Sequence, residues 1–210
     1  MIISHTNPIY RQILSMAFVN KYNGAYYYSK EICDRIIPNV KTDRNWITVN
    51  VRGIGCDHAI VFIHNNMHPE NYDWLSQYKD LILVCGVPET CKKIEHLGRA
   101  IYLPLSINVE EVRSHIRDKT KDTAFAGRPS KKKNTELPLG IDFLEGIPRP
   151  ELLDRMAEYR NIYAVGRTAI EAKALGCNIL PYDPRFPDPG IWKVIDNLEA
   201  AQMLQEELDR

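Results

Sequence analysis

The sequence predicts an α/β protein built as two small doubly wound units, each a parallel sheet with helices on both faces. Three observations carry that reading. Near-continuous apolar runs of strand length recur, HAIVFIH (58–64), LILVCG (81–86) and AIYLPL (100–105) among them, as expected of strands covered on both faces. Segments of helical period separate these runs. The alternation then starts again beyond residues 105–120 without a low-complexity linker, which gives two sets of about four strands. The expected units are 1–108, with a helical start, and 109–210. One continuous sheet is the alternative arrangement.

The elements follow in order. Asn7 is placed to cap a first helix, Pro8 suits its first turn, and IYRQILSMAFVNKY keeps helical spacing until Asn23-Gly24 stops it. Ser29 starts a second helix, KEICDRII, closed by Pro38. WITVNV (46–51) is β-rich and ends at Arg52-Gly53-Ile54-Gly55. After the strand 58–64, Pro69 opens a helix through Trp74 and Leu75, and after the strand 81–86, Pro88 begins a helix to about Leu97. Asn108 and Glu111 have capping-box spacing before VEEVRSHIR. In the second half TAFAGR (123–128) is a strand, 130–136 an exposed loop with Lys131, Lys132 and Lys133, and LGIDFLEG (139–146) a strand. Pro150 opens the helix ELLDRMAEYR. NIYAV (161–165) is a strand breaking at Gly166, and RTAIEAKALG (167–176) a helix closed by Gly176. NILPYD (178–183), the loop PRFPDPG and a charged amphipathic helix, LEAAQMLQEELDR, complete the chain.

Composition narrows the class of function. Of 210 residues, 44% are hydrophobic and 26% charged, the balance of a globular protein rather than a disordered or coiled-coil one. Lys+Arg and Asp+Glu are both 27, so the net charge is zero. A duplex nucleic-acid binder carries a basic excess, because phosphate contacts dominate its affinity; any anion site here is local. MIISHTNPIYRQ is not a signal peptide, and no run approaches the ~18 apolar residues of a membrane span. A cytoplasmic protein is the expectation. The five cysteines, at 33, 56, 85, 91 and 177, lack zinc-ligand spacing and read as reduced, buried thiols.

Ligands of doubly wound sheets bind outside the carboxyl ends of the strands, where helix starts present N–H groups. Two such ends carry suggestive residues. One is Ala126-Gly127-Arg128, followed by the three lysines. The other is Val165-Gly166-Arg167-Thr168-Ala169-Ile170-Glu171. Gly166 lets backbone approach a phosphate, Arg167 can fork onto its oxygens and Thr168 can donate at the helix start. Glu171 is placed to accept from ribose hydroxyls. Thr168-x-x-Glu171 fits a capping box equally well, in which both side chains merely satisfy helix-end amides.

GRTAIEAKALGCNILPYD resembles the carboxy-terminal signature of GT-B glycosyltransferases, a glycine turn leading into a helix with EA-x-A-x-G. AFAGRPSKKK is similar to their segment with Arg and Lys on the donor diphosphate, and LPLSINVEEV to their interdomain stretch. The resemblance covers about residues 100–200. It implies a compact GT-B-like pair of Rossmann-like units with the acceptor side in the first. Arg128 and one of Lys131, Lys132 and Lys133 would bind a nucleotide diphosphate, Gly166, Arg167 and Thr168 would form the phosphate turn, and Glu171 would hold the ribose. The second Glu common in the family is here Tyr163. HAIVFIHNN resembles the strand whose final His faces the sugar, which makes His64 the catalytic candidate. Asp57 and Asp73 are other bases that an inverting reaction could use. His64 and His68 lie at a strand end before Pro69 rather than on one helix face, so no metal site is expected.

The resemblance implies transfer of a sugar from a nucleotide-diphosphate sugar to an unspecified acceptor, with no metal cofactor. The alternative is a non-catalytic nucleotide or nucleotide-sugar binder that keeps only the donor pocket. A nucleotide hydrolase or epimerase on one sheet has less support, since no Walker-type lysine loop is present. The small-molecule nucleotide-sugar is the expected partner, and a homo-oligomer is compatible with the sequence.

Overall fold

A computed structural model describes residues 24–47, 57–63, 69–127 and 137–210. Expectations for the first helix, the glycine turn 52–55, His64, His68, Arg128 and Lys131–Lys133 lie outside them. Among the described residues the chain is α/β, with two four-stranded, parallel sheets flanked by helices. Among the described residues, one compact unit holds Ala25–Pro104 together with Asn197–Arg210, and the other holds Leu105–Asp196.

The first sheet comprises β1 (Asn45–Ile47), β2 (Ala59–Ile63), β3 (Leu81–Cys85) and β4 (Arg99–Tyr102), lying side by side in chain order. β2 and β3 are buried at every residue, which is why their sequences are apolar without alternation. Ala59, Val61, Ile63, Leu81, Leu83 and Cys85 pack with Tyr72, Leu75, Ile94 and Leu97. The alternate residues Ile60, Phe62, Ile82 and Val84 are buried as well. Each fully buried Ile, Leu or Phe contributes about 1.5–3 kcal/mol. Gly98 precedes β4 where a Cβ would stand 2.7 Å from the Leu81 carbonyl oxygen, so only glycine fits that approach.

Helix α1 (Gly24–Glu31) runs on through a π turn, Ile32–Ile36, and a 3₁₀ turn, Ile37–Asn39. Ser29, expected at a helix start, lies inside α1 and is buried. The segment Pro69–Gln77 is 3₁₀ rather than α. Its apolar anchors Tyr72 and Leu75, with Tyr78 just beyond its end, recur every third residue, which matches three residues per turn. Pro88 opens α2 (Pro88–Ile94), which ends in a 3₁₀ turn, Glu95–Leu97.

The second unit begins with α3 (Val109–Arg113). Asn108 caps it, its Oδ1 accepting from the Glu111 N–H at 3.3 Å while its Nδ2 donates to Glu111 Oε2 at 3.3 Å. There follow β5 (Lys121–Ala126), β6 (Asp142–Leu144), α4 (Arg149–Ala157), β7 (Tyr159–Tyr163), α5 (Arg167–Ala174) and β8 (Asn178–Leu180). The strand order is β6-β5-β7-β8, so the chain reverses its direction of travel between β5 and β7. That reversal is the doubly wound feature. The described strands of the first sheet show no such reversal.

The last helix, α6 (Asn197–Leu208), belongs to the first unit, although the sequence reading ended the second unit at residue 210. The physical reason lies in its apolar stripe. Ala200, Ala201 and Leu204 are buried where α6 packs on the π and 3₁₀ turns after α1. Asn197 Nδ2 donates to Glu31 Oε2 at 2.7 Å, and Lys41 N–H to Gln205 Oε1 at 2.6 Å.

Candidate functional site at the carboxyl edge of the second sheet

The reversal between β5 and β7 marks where a doubly wound sheet opens a crevice beyond its strand ends. Gly127 follows β5 with φ 140°, and Gly166 follows β7 with φ 64° and ψ −140°. Side chains with a Cβ rarely adopt that Gly166 conformation. The position of its missing Cβ has no atom within 4 Å, which leaves room for close approach to the backbone.

Gly166 is also the residue from which α5 starts. Its carbonyl accepts from the Ile170 N–H at 3.2 Å, and no side chain caps the helix. Thr168, half-buried, stands at the second helical position. The capping-box reading of Thr168 and Glu171 is therefore corrected. The helix starts two residues too early for Thr168 to cap it, and the Glu171 carboxylate is engaged elsewhere.

Glu171 is 4% exposed and lies between two arginines that are themselves buried, Arg149 at 8% and Arg167 at 9%. Arg167 Nε donates to Glu171 Oε1 at 3.0 Å, one helical turn away, and Arg149 Nε donates to the same oxygen at 2.9 Å. Arg149 NH1 also donates to Glu111 Oε1 at 2.5 Å, and that glutamate is the one held by the Asn108 cap. A single polar chain thus ties α3, α4 and α5 together beneath the Gly166 turn. A buried charge left unpaired costs several kcal/mol, so the central carboxylate is what makes two buried guanidinium groups tolerable.

Of the residues singled out from the sequence, the structure joins Gly166, Arg167, Thr168 and Glu171 at one helix start. It directs Arg167 inward to Glu171. Arg149 was missed. Its signal was present in Pro148-Arg149-Pro150, because a cation at a helix N-terminus opposes the macrodipole and needs another reason to be there.

Beyond β8, Tyr182 packs edge-on against Phe125 with centroids 5.2 Å apart, and burial pushes its hydroxyl pKa up to about 12. Asp183, buried, accepts from Arg185 Nε at 2.8 Å and NH2 at 2.6 Å. These contacts fix the loop that follows the strand.

A different cluster sits at the amino ends of β1, β2 and β3. Arg44 donates to the Asp80 backbone oxygen and to Oδ1, each at 2.8 Å. His58 lies with Nδ1 2.5 Å from Asp80 Oδ2 and Nε2 3.2 Å from Asp43 Oδ1. The two carboxylates, Asp80 foremost, raise the His58 pKa. Hydrogen bonds from Arg44 and then His58 lower that of Asp80, and His58 lowers that of Asp43. Asp80 has φ 53°, a left-handed conformation that aspartate tolerates better than most residues. At this edge of a parallel sheet the cluster ties strand starts together. Among the described residues no group of His, Cys, Asp or Glu is arranged to hold a metal ion, and no helix is long and apolar enough to cross a membrane.

No family model, curated protein or solved structure matches the chain.

Proposed function

We propose that the second unit binds the diphosphate of a nucleotide-sugar at the carboxyl edge of β5 and β7, and that the chain is a glycosyltransferase-like protein passing the sugar to an acceptor. The observation that carries this reading is the coincidence of the strand-order reversal with the open Gly166 turn and the side-chain-free start of α5. Backbone N–H groups at a helix start favour phosphate oxygens. In the sequence, Arg128 and Lys131–Lys133 follow β5 and add the cations that a leaving diphosphate needs. Arginine, lysine and helix amides can stabilise that leaving group without a metal ion. Buried between Arg149 and Arg167, Glu171 first fixes the floor of the turn, and any hold on ribose hydroxyls is additional to that work. His64 remains the proposed base or sugar-facing residue.

A second reading, a binder that keeps the donor pocket alone, is favoured by the first sheet. Its described strands run in plain chain order and offer no reversal crevice for an acceptor. One experiment separates the two. The protein is titrated with uridine and guanosine diphosphates and a panel of their sugars, with and without a chelator, and released nucleoside diphosphate is assayed. Binding with release supports transfer, and binding without release supports the binder. The absence of binding for every nucleotide, or binding that the chelator abolishes, overturns the reading.

A further inference from the structure

An amine and a thiol meet at the amino edge of the second sheet, the edge opposite the Gly166 turn. Lys119 precedes β5, and Cys177 lies between the end of α5 and the start of β8. Lys119 Nζ stands 3.2 Å from Cys177 Sγ and donates to the Leu175 carbonyl at 2.8 Å. The thiol in turn donates to the Met156 carbonyl, near the end of α4, at 3.4 Å. Lys119 is half-buried and Cys177 is 5% exposed. The carbonyl contact alone accounts for a lysine at a helix carboxyl end; the contact with sulfur adds nothing that a helix end needs. Cys33, Cys85 and Cys91, the other cysteines among the described residues, belong to the first unit. The nucleophile in contact with the Cys177 sulfur is therefore the Lys119 amine.

We propose that Lys119 and Cys177 form an oxidative crosslinking site, where a hydroperoxide oxidises the sulfur and the lysine amine captures it as a sulfenamide. The Cys177 thiolate attacks one oxygen of the hydroperoxide. The O–O bond breaks, an S–O bond forms, and the departing alkoxide or hydroxide takes up the proton that the thiol gave up. The Lys119 amine, having released its ammonium proton to solvent, attacks the sulfenic sulfur. An S–N bond forms, the S–O bond breaks, and the hydroxyl leaves as water with one amine proton. The sulfur loses two electrons, and one hydroperoxide becomes an alcohol, or water, with one further water from the second step. A sulfenic acid condenses with a thiol or with a nitrogen, and Cys177 touches a nitrogen. Burial raises the Cys177 pKa while Lys119 draws it back, so thiolate is scarce and the link forms slowly. The capture step, not speed, marks the site.

The test uses the full, reduced chain treated with hydrogen peroxide, alkylated under denaturing conditions and digested with trypsin. Blocked at Lys119, the digest should yield residues 118–121 joined to 174–185. The expected mass is the sum of the two peptides less two hydrogens, and dithiothreitol should separate them. Cys177→Ser should lose the product. Lys119→Arg keeps the positive charge but not the nucleophilic amine; it should also lose the product, and dimedone should then capture sulfenic acid on Cys177. Cys177 still fully open to the alkylating reagent after peroxide, a linked product that retains an oxygen, or a Cys177 crosslink that persists in Lys119→Arg would each overturn the proposal.

Discussion

Replacing Glu171 by alanine removes the one buried carboxylate that two buried guanidinium groups share. The Nε–H groups of Arg149 and Arg167 lose an acceptor at 2.9 and 3.0 Å respectively. Breaking a buried ion pair from one side costs roughly 3–5 kcal/mol, because the remaining charge stays desolvated. Arg149 keeps Glu111, which is partly solvated, so the lower half of that range is expected. For a chain of 210 residues each kcal/mol moves the Tm by about 2–4 °C. The expected fall is therefore about 6–16 °C. A helix cap at the same position would cost only about 0.5–2 kcal/mol. Urea unfolding followed by far-UV circular dichroism gives the difference directly. Arg167→Ala combined with Glu171→Ala should fall short of additivity by more than about 0.5 kcal/mol, since the two share a bond. Replacing all three charges by apolar residues, Arg149→Met, Glu171→Leu and Arg167→Met, should recover most of the loss. A Glu171→Ala cost under about 1 kcal/mol, or strict additivity with Arg167→Ala, would refute the buried ion-pair reading.

Other expectations follow from the same geometry. Gly166→Ala meets no neighbour, so its cost is backbone strain of about 1–3 kcal/mol; it should also weaken nucleotide binding, and calorimetric titration beside a melting curve separates the two effects. The His58 cluster should give the first unit a pH-dependent stability. His58 is raised from 6.5, so its contribution is complete below that pH and is lost as pH rises through its shifted value. Asp80 and Asp43 are lowered from 3.8, so theirs is present above that pH and is lost as pH falls through the shifted values. The cluster therefore contributes most between about pH 4 and 6.5. His58→Gln should flatten the alkaline side of a stability–pH curve while leaving the second unit's unfolding unchanged, and an unaltered curve would dismiss the cluster's role.

Much of the fold was legible because burial on both faces writes itself as uninterrupted apolar sequence. Leu81–Cys85 and Ala59–Ile63 are where the pattern put them. Asn108 caps its helix as read, accepting from the Glu111 N–H. The same spacing at Thr168 and Glu171 misled, since a cap depends on where the helix starts, and Gly166 starts it two residues too early. β7 covers Tyr159–Tyr163 rather than 161–165, because the ring of Tyr159 is buried while the sequence pattern gave weight to Ala164 and Val165. The amphipathic pattern of α6 showed that it buries a face, but not which unit receives it; that depends on contacts with residues far away in the chain. Arg149 escaped for a similar reason. Its partners, Glu111 and Glu171, are distant in sequence, and only packing of α3, α4 and α5 brings them together.

Hydrogen–deuterium exchange on the full chain, with and without saturating nucleoside diphosphate and with a chelator present, tests the central claim most directly. The account predicts slowed exchange in peptides spanning the end of β5 and residues 163–170, with the amino edge of the first sheet unchanged. Protection confined to the first unit, or none anywhere at a nucleotide concentration that calorimetry shows to be saturating, would contradict it.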